Sequence, residues 1–272
     1  MTYRDIEVER RGEIEIIRLN RPRYRNAQSR VMLEEMTEAF ARADLDNDVK
    51  VVVLAAAGEH FSAGHDLGTD EEKADQATMP FGEGLLGRVN RSWHLYVENS
   101  LRWRDVKKPT IAAVQGLCIY GGFILASSMD VIFASDDAKF LPTHLQLHTA
   151  PWDMGIRNAK RILYENRFIP AQEAKEIGLV SEVVPRDQLE EAVIAQAERW
   201  CATDLLTLRM LKHSINLTQD AQGYRVAIHA AHSAYMVREL INLQAGANRV
   251  PGERRMPLVA AALAKEKSST KS

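Results

Sequence analysis

Two unbroken apolar runs, "VKVVVLAAAG" (residues 49–58) and "TIAAVQG" (residues 110–116), constrain this chain more than any other feature. A strand with one wet face alternates apolar and polar residues. These runs do not alternate, so both of their faces are buried, as in the interior of a parallel sheet. "DVIFAS" (130–135) reads as a third such strand. Parallel neighbours need long crossovers, and the intervening sequence supplies them as helices. Ser29 can cap a helix that turns Leu33, Met36, Phe40 and Ala43 inward. From about Pro80 to Val106, Leu85, Val89, Trp93, Val97 and Leu101 recur at helical spacing, and "YGG" opens a helix running to about Met129.

A hairpin, "IEV-ERRGE-IEIIRL", precedes this alternation, and "GIRNAKRILYE", "AQEAKEIG" and the strand "LVSEVVP" follow it. From Asp187 onward the pattern is helical, with breaks near Asp204 and Gly223. The expectation is an α/β protein with a core over residues 1–200 and a helical subdomain over 201–272 whose polar end, "KEKSSTKS", frays.

Charge excludes one class of partner. Thirty-five Lys and Arg against 37 Asp and Glu give a net charge of −2 and no basic footprint for nucleic acid. No apolar run approaches the ~20 residues that cross a bilayer, and the first twenty residues lack an apolar signal core, so a cytoplasmic protein is expected. Cys118 and Cys201 lie in apolar segments far apart and read as reduced, buried thiols.

The chemistry-bearing features are two strand-to-glycine junctions, "VVVLAAAGEHFSAGHDL" and "IAAVQGLCIYGGFILA". Ligands of open α/β sheets gather at the carboxyl ends of strands. Gly64 permits a tight turn that exposes the N–H of His65, and Gly121–Gly122 can bring a ligand against N–H groups at a helix mouth. Two converging donors would form an oxyanion hole, worth roughly 3–4 kcal/mol per donor in a transition state. A Gly-Gly pair at a helix start also serves simply as a packing device.

Together, "LNRPRYRNA", "FSAGHDL", "KPTIAAVQGLCIYGGFILASSMDVIFASDDAKF" and "AQEAKEIGLVSEVVPRDQL" resemble the crotonase (enoyl-CoA hydratase/isomerase) superfamily over about residues 5–215, with Tyr120 replacing the first glycine of a family triplet. The resemblance implies a spiral of ββα units with a helical C-terminal trimerisation part, and a homotrimer or dimer of trimers. It implies an acyl-CoA substrate, with coenzyme A as part of that substrate and no separate cofactor or metal. His65 and Gly121 match the oxyanion donors, His65 through its main chain with an incidental imidazole. Arg25, Ala27, Ala63, Gly64, Asp66 and Leu67 match segments that contact coenzyme A, and Arg21, Arg23 and Arg25 are candidates for its phosphates or else a solvated loop. Ile119, Gly122, Ile124 and Trp152 complete the expected substrate-binding set.

Hydration of an enoyl thioester needs two groups that move protons, and the family's hydratases use two glutamates twenty positions apart. Here those positions hold Ile124 and His144. His144, in "FLPTHLQLHTAPWDMG", is the expected general base, with Asp153 orienting it or delivering the proton. That pair resembles one in 6-oxocamphor hydrolase, a relative that cleaves cyclic β-diketones without coenzyme A. Alternatives at this stage are an N-cap role for Asp153 before "MGIRNAKRIL", and a zinc site of His144, His148 and Asp153. His229, His232 and Tyr235 are expected to face solvent or a subunit contact. The functions left open are acyl-CoA processing, C–C bond hydrolysis of β-diketones or β-keto thioesters, and non-catalytic acyl-CoA binding.

Overall fold

The computed structural model describes residues 2–76, 81–142, 149–246 and 262–264. Strands β1 (Ile6–Arg11) and β2 (Ile14–Leu19) form the expected antiparallel hairpin, and β2 then pairs in parallel with β3 (Val51–Ala56). Continuing in parallel, β4 (Thr110–Val114), β6 (Val131–Ser135) and β9 (Glu182–Val184) complete a sheet of order β1-β2-β3-β4-β6-β9. A second sheet, absent from the expectation, contains β5 (Leu117–Ile119), β7 (Lys139–Leu141) and β8 (Ile169–Pro170). These strands are too short for an alternation of two to register against the surrounding apolar residues. Gly116 turns the chain from β4 into β5 at φ +56°, where an added Cβ would lie 2.2 Å from the carbonyl oxygen of Glu59.

Helices α1 (Arg30–Leu45), α2 (Asp70–Gln76), α3 (Gly84–Ser92), α4 (Asn99–Arg104) and α5 (Gly121–Ser127) lie within this strand sequence. The rest are α6 (Ala150–Met154), α7 (Ile156–Glu165), α8 (Ala171–Glu176), α9 (Leu189–Cys201), α10 (Leu205–Ala221) and α11 (Tyr224–Gly246). No helix among the described residues is long and apolar enough to cross a membrane.

All six residues of β3 are buried because its two sets of side chains enter different cores. Val52 and Leu54 face the side that holds Met32, Met36 and Phe40 of α1 and Phe123 of α5. Val51, Val53 and Ala55 face the other side, under Leu189, Val193 and Ala197 of α9. The breaks near Asp204 and Gly223 are real: the Asp204 carboxylate caps α10 by accepting from Thr207 N–H at 2.9 Å, and Gly223 adopts φ +93°.

One helical expectation is corrected. Between α3 and α4 the chain passes through a π-helical turn, Trp93–Glu98, and Leu85 at the near end is exposed. The wider turn rotates the inner face, so Leu95, Tyr96, Val97, Leu101 and Trp103 are the residues that pack inward.

Ser29 caps α1 as expected, accepting from Met32 N–H at 3.0 Å, and its buried hydroxyl also donates to Asp5 at 2.5 Å. Ser29→Ala therefore removes a cap and strands part of a buried carboxylate. We expect a loss of roughly 1–2 kcal/mol in stability, read as a lower denaturant midpoint with unchanged slope.

Candidate functional site

The two glycine junctions meet. The segment after β2 and the loop after β3 run side by side through Ala63 N–H to Arg25 C=O (2.9 Å), Gln28 N–H to Gly64 C=O (2.9 Å) and Asp66 N–H to Gln28 C=O (3.0 Å). Ser62 then exchanges backbone hydrogen bonds with β5, to Leu117 C=O and from Ile119 N–H, both at 3.0 Å. This zipper sets Gly64 against the start of α5. At φ +91°, a Cβ on Gly64 would sit 2.8 Å from Ile119 C=O and 3.2 Å from Gly121 N.

The glycine pair is required by the same approach. A Cβ on Gly121 would meet Gln28 Oε1 at 2.5 Å and the His65 ring at 2.7 Å, while one on Gly122 would meet Ser62 C=O at 2.7 Å. Packing device and close backbone approach are thus one feature. Gly121 is the first residue of α5, so its N–H has no acceptor within the helix.

The His65 imidazole is held in place by its neighbours. It stacks on Tyr96 with centroids 3.6 Å apart, and its Nδ1 lies 3.0 Å from Gln28 Oε1. Gln28 and Tyr96 were invisible in the sequence: one precedes a helix cap, and the other enters the site only through the π turn.

The arginines divide. Arg21 is buried, so it is no solvated loop residue and no phosphate ligand. It bonds Asp66 at 3.0 Å, Glu71 at 3.0 Å and Ala27 C=O at 2.5 Å, with Asp5 at 3.5 Å. Arg23 is exposed, pairs with Glu71 and lies over the Tyr24 ring. Arg25 is exposed, and its guanidinium has no ion-pair partner among the described residues. The Asp66 carboxylate is committed to its own loop, accepting from Gly68 N–H, Thr69 N–H and Thr69 Oγ1, so only its main chain remains for a ligand. These donors and Arg21 outweigh burial and hold its pKa below the usual carboxylate range. Leu67 is exposed.

Beyond Gly121, Ile124 is 2% exposed and packs with Val97, Leu101, Tyr224 and Ile228, with Trp93 and Trp152 at the margin. Trp152 meets Tyr224 edge-on at 5.6 Å. Tyr224 and Ile228 come from α11, far downstream in the sequence. His232 is also buried, contrary to expectation, with Nε2 3.1 Å from Ser92 Oγ, and burial lowers its pKa. His229 is exposed and touches the edge of Trp93.

Asp153 lies inside α6, and Gly155 is the residue that precedes α7, which removes the N-cap reading. Although the residue is only half-buried, its Oδ2 is shut off from solvent and makes no hydrogen bond of good geometry. Burial raises its pKa from 3.8 to about 7, against the lowering effect of the nearby Thr149 and Ser127 hydroxyls. Those two hydroxyl oxygens are likewise buried and unsatisfied. His144 and His148, and with them the zinc reading, lie outside the described residues.

The arrangement is a close meeting of strand-end glycines, with an apolar cluster around Ile124 in the helix that Gly121 starts. The spiral of ββα units and the glycine mouth define a crotonase fold. Residues 9–242 match the enoyl-CoA hydratase/isomerase family model, and the chain belongs to that family. EchA13 of Mycobacterium tuberculosis, provisionally named an enoyl-CoA hydratase, is 38% identical over 237 residues, covering 80% of this chain and 74% of its own. A Mycobacterium smegmatis structure described as a probable enoyl-CoA hydratase superimposes with a TM-score of 0.81 at 37% identity, covering 90% of this chain and 98% of that one. A monofunctional enoyl-CoA isomerase from Mycobacterium smegmatis gives a TM-score of 0.66 at 28% identity, over 80% and 94% of the two chains.

The raised Asp153 pKa carries a sign. The folded state holds this proton more tightly than the unfolded chain does. Its contribution to stability is therefore present below pH 4 and lost as pH rises through about 7. Asp153→Asn, which cannot ionise, is expected to be more stable than wild type at pH 8 by roughly 2–4 kcal/mol, and equal to it near pH 4. Thermal melts at the two pH values check this.

Proposed function

We propose that the protein binds an acyl-CoA and stabilises the enolate of its thioester between the N–H groups of His65 and Gly121. The observation that carries this reading is the contact of the Gly64 turn with the α5 start. It brings the loop that carries the His65 N–H against the helix start that carries the Gly121 N–H, in a space too tight for a Cβ on either Gly64 or Gly121. Two fixed donors there oppose the charge that develops on a thioester oxygen without reorganising at the moment of reaction. Arg25, exposed and unpaired among the described residues, is suited to a coenzyme A phosphate, and the backbone of Ala27, Ala63 and Gly64 to the rest of the carrier.

His144 and Asp153 are the proposed proton carriers. Position 144 is that of the second glutamate of the family's hydratases, and histidine, whose unperturbed pKa is ~6.5, is a residue type suited to a general base. Asp153, poised near neutrality, supplies or receives the second proton. Hydration of a simple enoyl-CoA is expected to be slow, because Ile124 stands in an apolar cluster where a hydratase places an acid. Loss of one such group costs roughly 10²–10⁴-fold.

The same apolar surroundings favour a second reading, hydrolysis of a carbon–carbon bond in a β-diketone or β-keto thioester. There His144 activates water, the oxyanion hole holds the departing enolate, and no acid is needed at position 124. A homotrimer, or a dimer of trimers, accords with Leu206, Met210 and Ile215 of α10 and Val226, Val237 and Ile241 of α11, all exposed in the single chain.

Titration with crotonyl-CoA, followed by calorimetry and by enone absorbance in the same samples, tests the leading reading. We expect micromolar binding with slow loss of the enone, and three- to tenfold weaker binding by Arg25→Ala. Binding without chemistry moves the reading to C–C hydrolysis or to a non-catalytic acyl-CoA carrier. Absence of binding refutes the acyl-CoA assignment.

A further inference from the structure

The ring that lies on His65 comes from outside both glycine junctions. The π-helical turn Trp93–Glu98 brings Tyr96 inward, with the two ring centroids 3.6 Å apart and their planes 25° apart. Turns of this kind are rare and recur at functional sites. In an unbroken α-helix each residue is set about 100° around the axis from the last, so losing the wide turn would swing the phenol off the imidazole.

The phenol is itself anchored. Its oxygen accepts from Arg91 Nη1 at 3.2 Å, and Arg91 pairs with Glu72 of α2, whose side chain is fully buried. The same carboxylate accepts from Gln76 Nε2 at 3.1 Å and from the N–H of Arg30, the first residue of α1, at 3.3 Å. A buried carboxylate held from three helices cannot shift without stranding its charge, so Arg91 ties the ring to a fixed post.

On the imidazole, face and edge are both constrained. Tyr96 covers one face, and Gln28 Oε1 meets the edge at Nδ1, 3.0 Å away. The Nδ1–Cε1 edge also lies against Gly121, 2.7–2.8 Å from where a Cβ would project. A histidine side chain turns about only two torsions, so a ring fixed in this way leaves its Cα, and the N–H beside it, little freedom. The stack does this whichever ring nitrogen carries the proton.

We propose that Tyr96 is a positioning residue for the oxyanion hole, clamping the His65 ring so that the His65 N–H keeps its place beside that of Gly121. This inference rests on the acyl-CoA reading above. The ring does the positioning, and the hydroxyl, through Arg91 and Glu72, keeps the ring in place. A donor held still before charge develops favours an enolate far more than a neutral thioester, so the clamp acts on the charged species and leaves ground-state binding almost untouched.

The test sets acetoacetyl-CoA, whose enolate is read by its near-ultraviolet absorbance, beside butyryl-CoA, which stays neutral. Tyr96→Leu (or Tyr96→Met, should the first not fold) is expected to raise the pH midpoint for ionisation of bound acetoacetyl-CoA by about 1–2 units. That is roughly a 10- to 100-fold loss of enolate stabilisation, at a butyryl-CoA Kd within about threefold of wild type. Tyr96→Phe keeps the ring and should hold the midpoint within about 0.5 unit of wild type. In the unliganded proteins, hydrogen exchange of the His65 amide, read by NMR, should be about tenfold faster in Tyr96→Leu than in wild type or Tyr96→Phe. A midpoint unmoved by Tyr96→Leu overturns the proposal, as does an equal loss of butyryl-CoA affinity or a Phe variant as impaired as the Leu one. Should wild type bind neither thioester, the acyl-CoA reading fails. Amide exchange then decides the clamp alone, and equal rates in the three proteins overturn it.

Discussion

The buried guanidinium of Arg21 is the interaction on which the site depends. A charge taken from water must be paired, and Arg21 hydrogen-bonds Asp66 in the glycine loop, Glu71 in α2 and the carbonyl of Ala27, while its Nε, without a hydrogen bond, faces Asp5 before β1 at 3.5 Å. These partners come from four places in the chain, and the segments of Ala27 and Asp66 are also paired by backbone hydrogen bonds. The ion cluster adds to that pairing: it ties the segment after β2, the loop after β3 and the first hairpin into one unit.

The depth of this tie bears on the proposed oxyanion hole. An oxyanion hole works by having its donors in place before charge develops, and loops supply such donors only when something removes their freedom. Here the freedom is removed twice, by the Arg21 cluster on one side of Asp66 and by the Ser62 zipper with β5 on the other. Between them, His65 has little room to move its main chain, and its ring is stacked and bonded as well.

Most of the large sheet was legible because its signal is local. Runs such as Val51–Ala56 and Thr110–Val114 cannot be anything but strands covered on both faces, and the Ser29 cap and the Asp204 and Gly223 breaks follow from side-chain chemistry within a turn. The short second sheet was not legible, since β5, β7 and β8 are each defined by their partners and not by their own pattern. The glycine junctions marked the site's mouth. Its walls were hidden: Tyr224 and Ile228 arrive from α11, and Tyr96 turns inward through a π turn that no helical periodicity foretells. Arg21 was misread for a related reason. A cluster of arginines in a loop looks solvated, and only the three carboxylates folded onto one of them show otherwise.

Tyr120 gathers these threads. It stands where the family places glycine, and its backbone is at φ 44°, ψ −95°, a conformation that costs a residue with a side chain roughly 1–3 kcal/mol. Something must hold it there. Its N–H bonds Leu141 C=O at 2.9 Å, its own carbonyl accepts from Ile124 N–H at 2.9 Å, and its ring packs against the cluster of Ile119, Leu141 and Phe168. The second sheet thus grips the residue that starts α5, and the carbonyl grip fixes the first helical turn that carries Gly121. A glycine there would relieve the strain but give up the ring contact. It would leave the Gly121 N–H on a looser support, at the point where the donor must not drift.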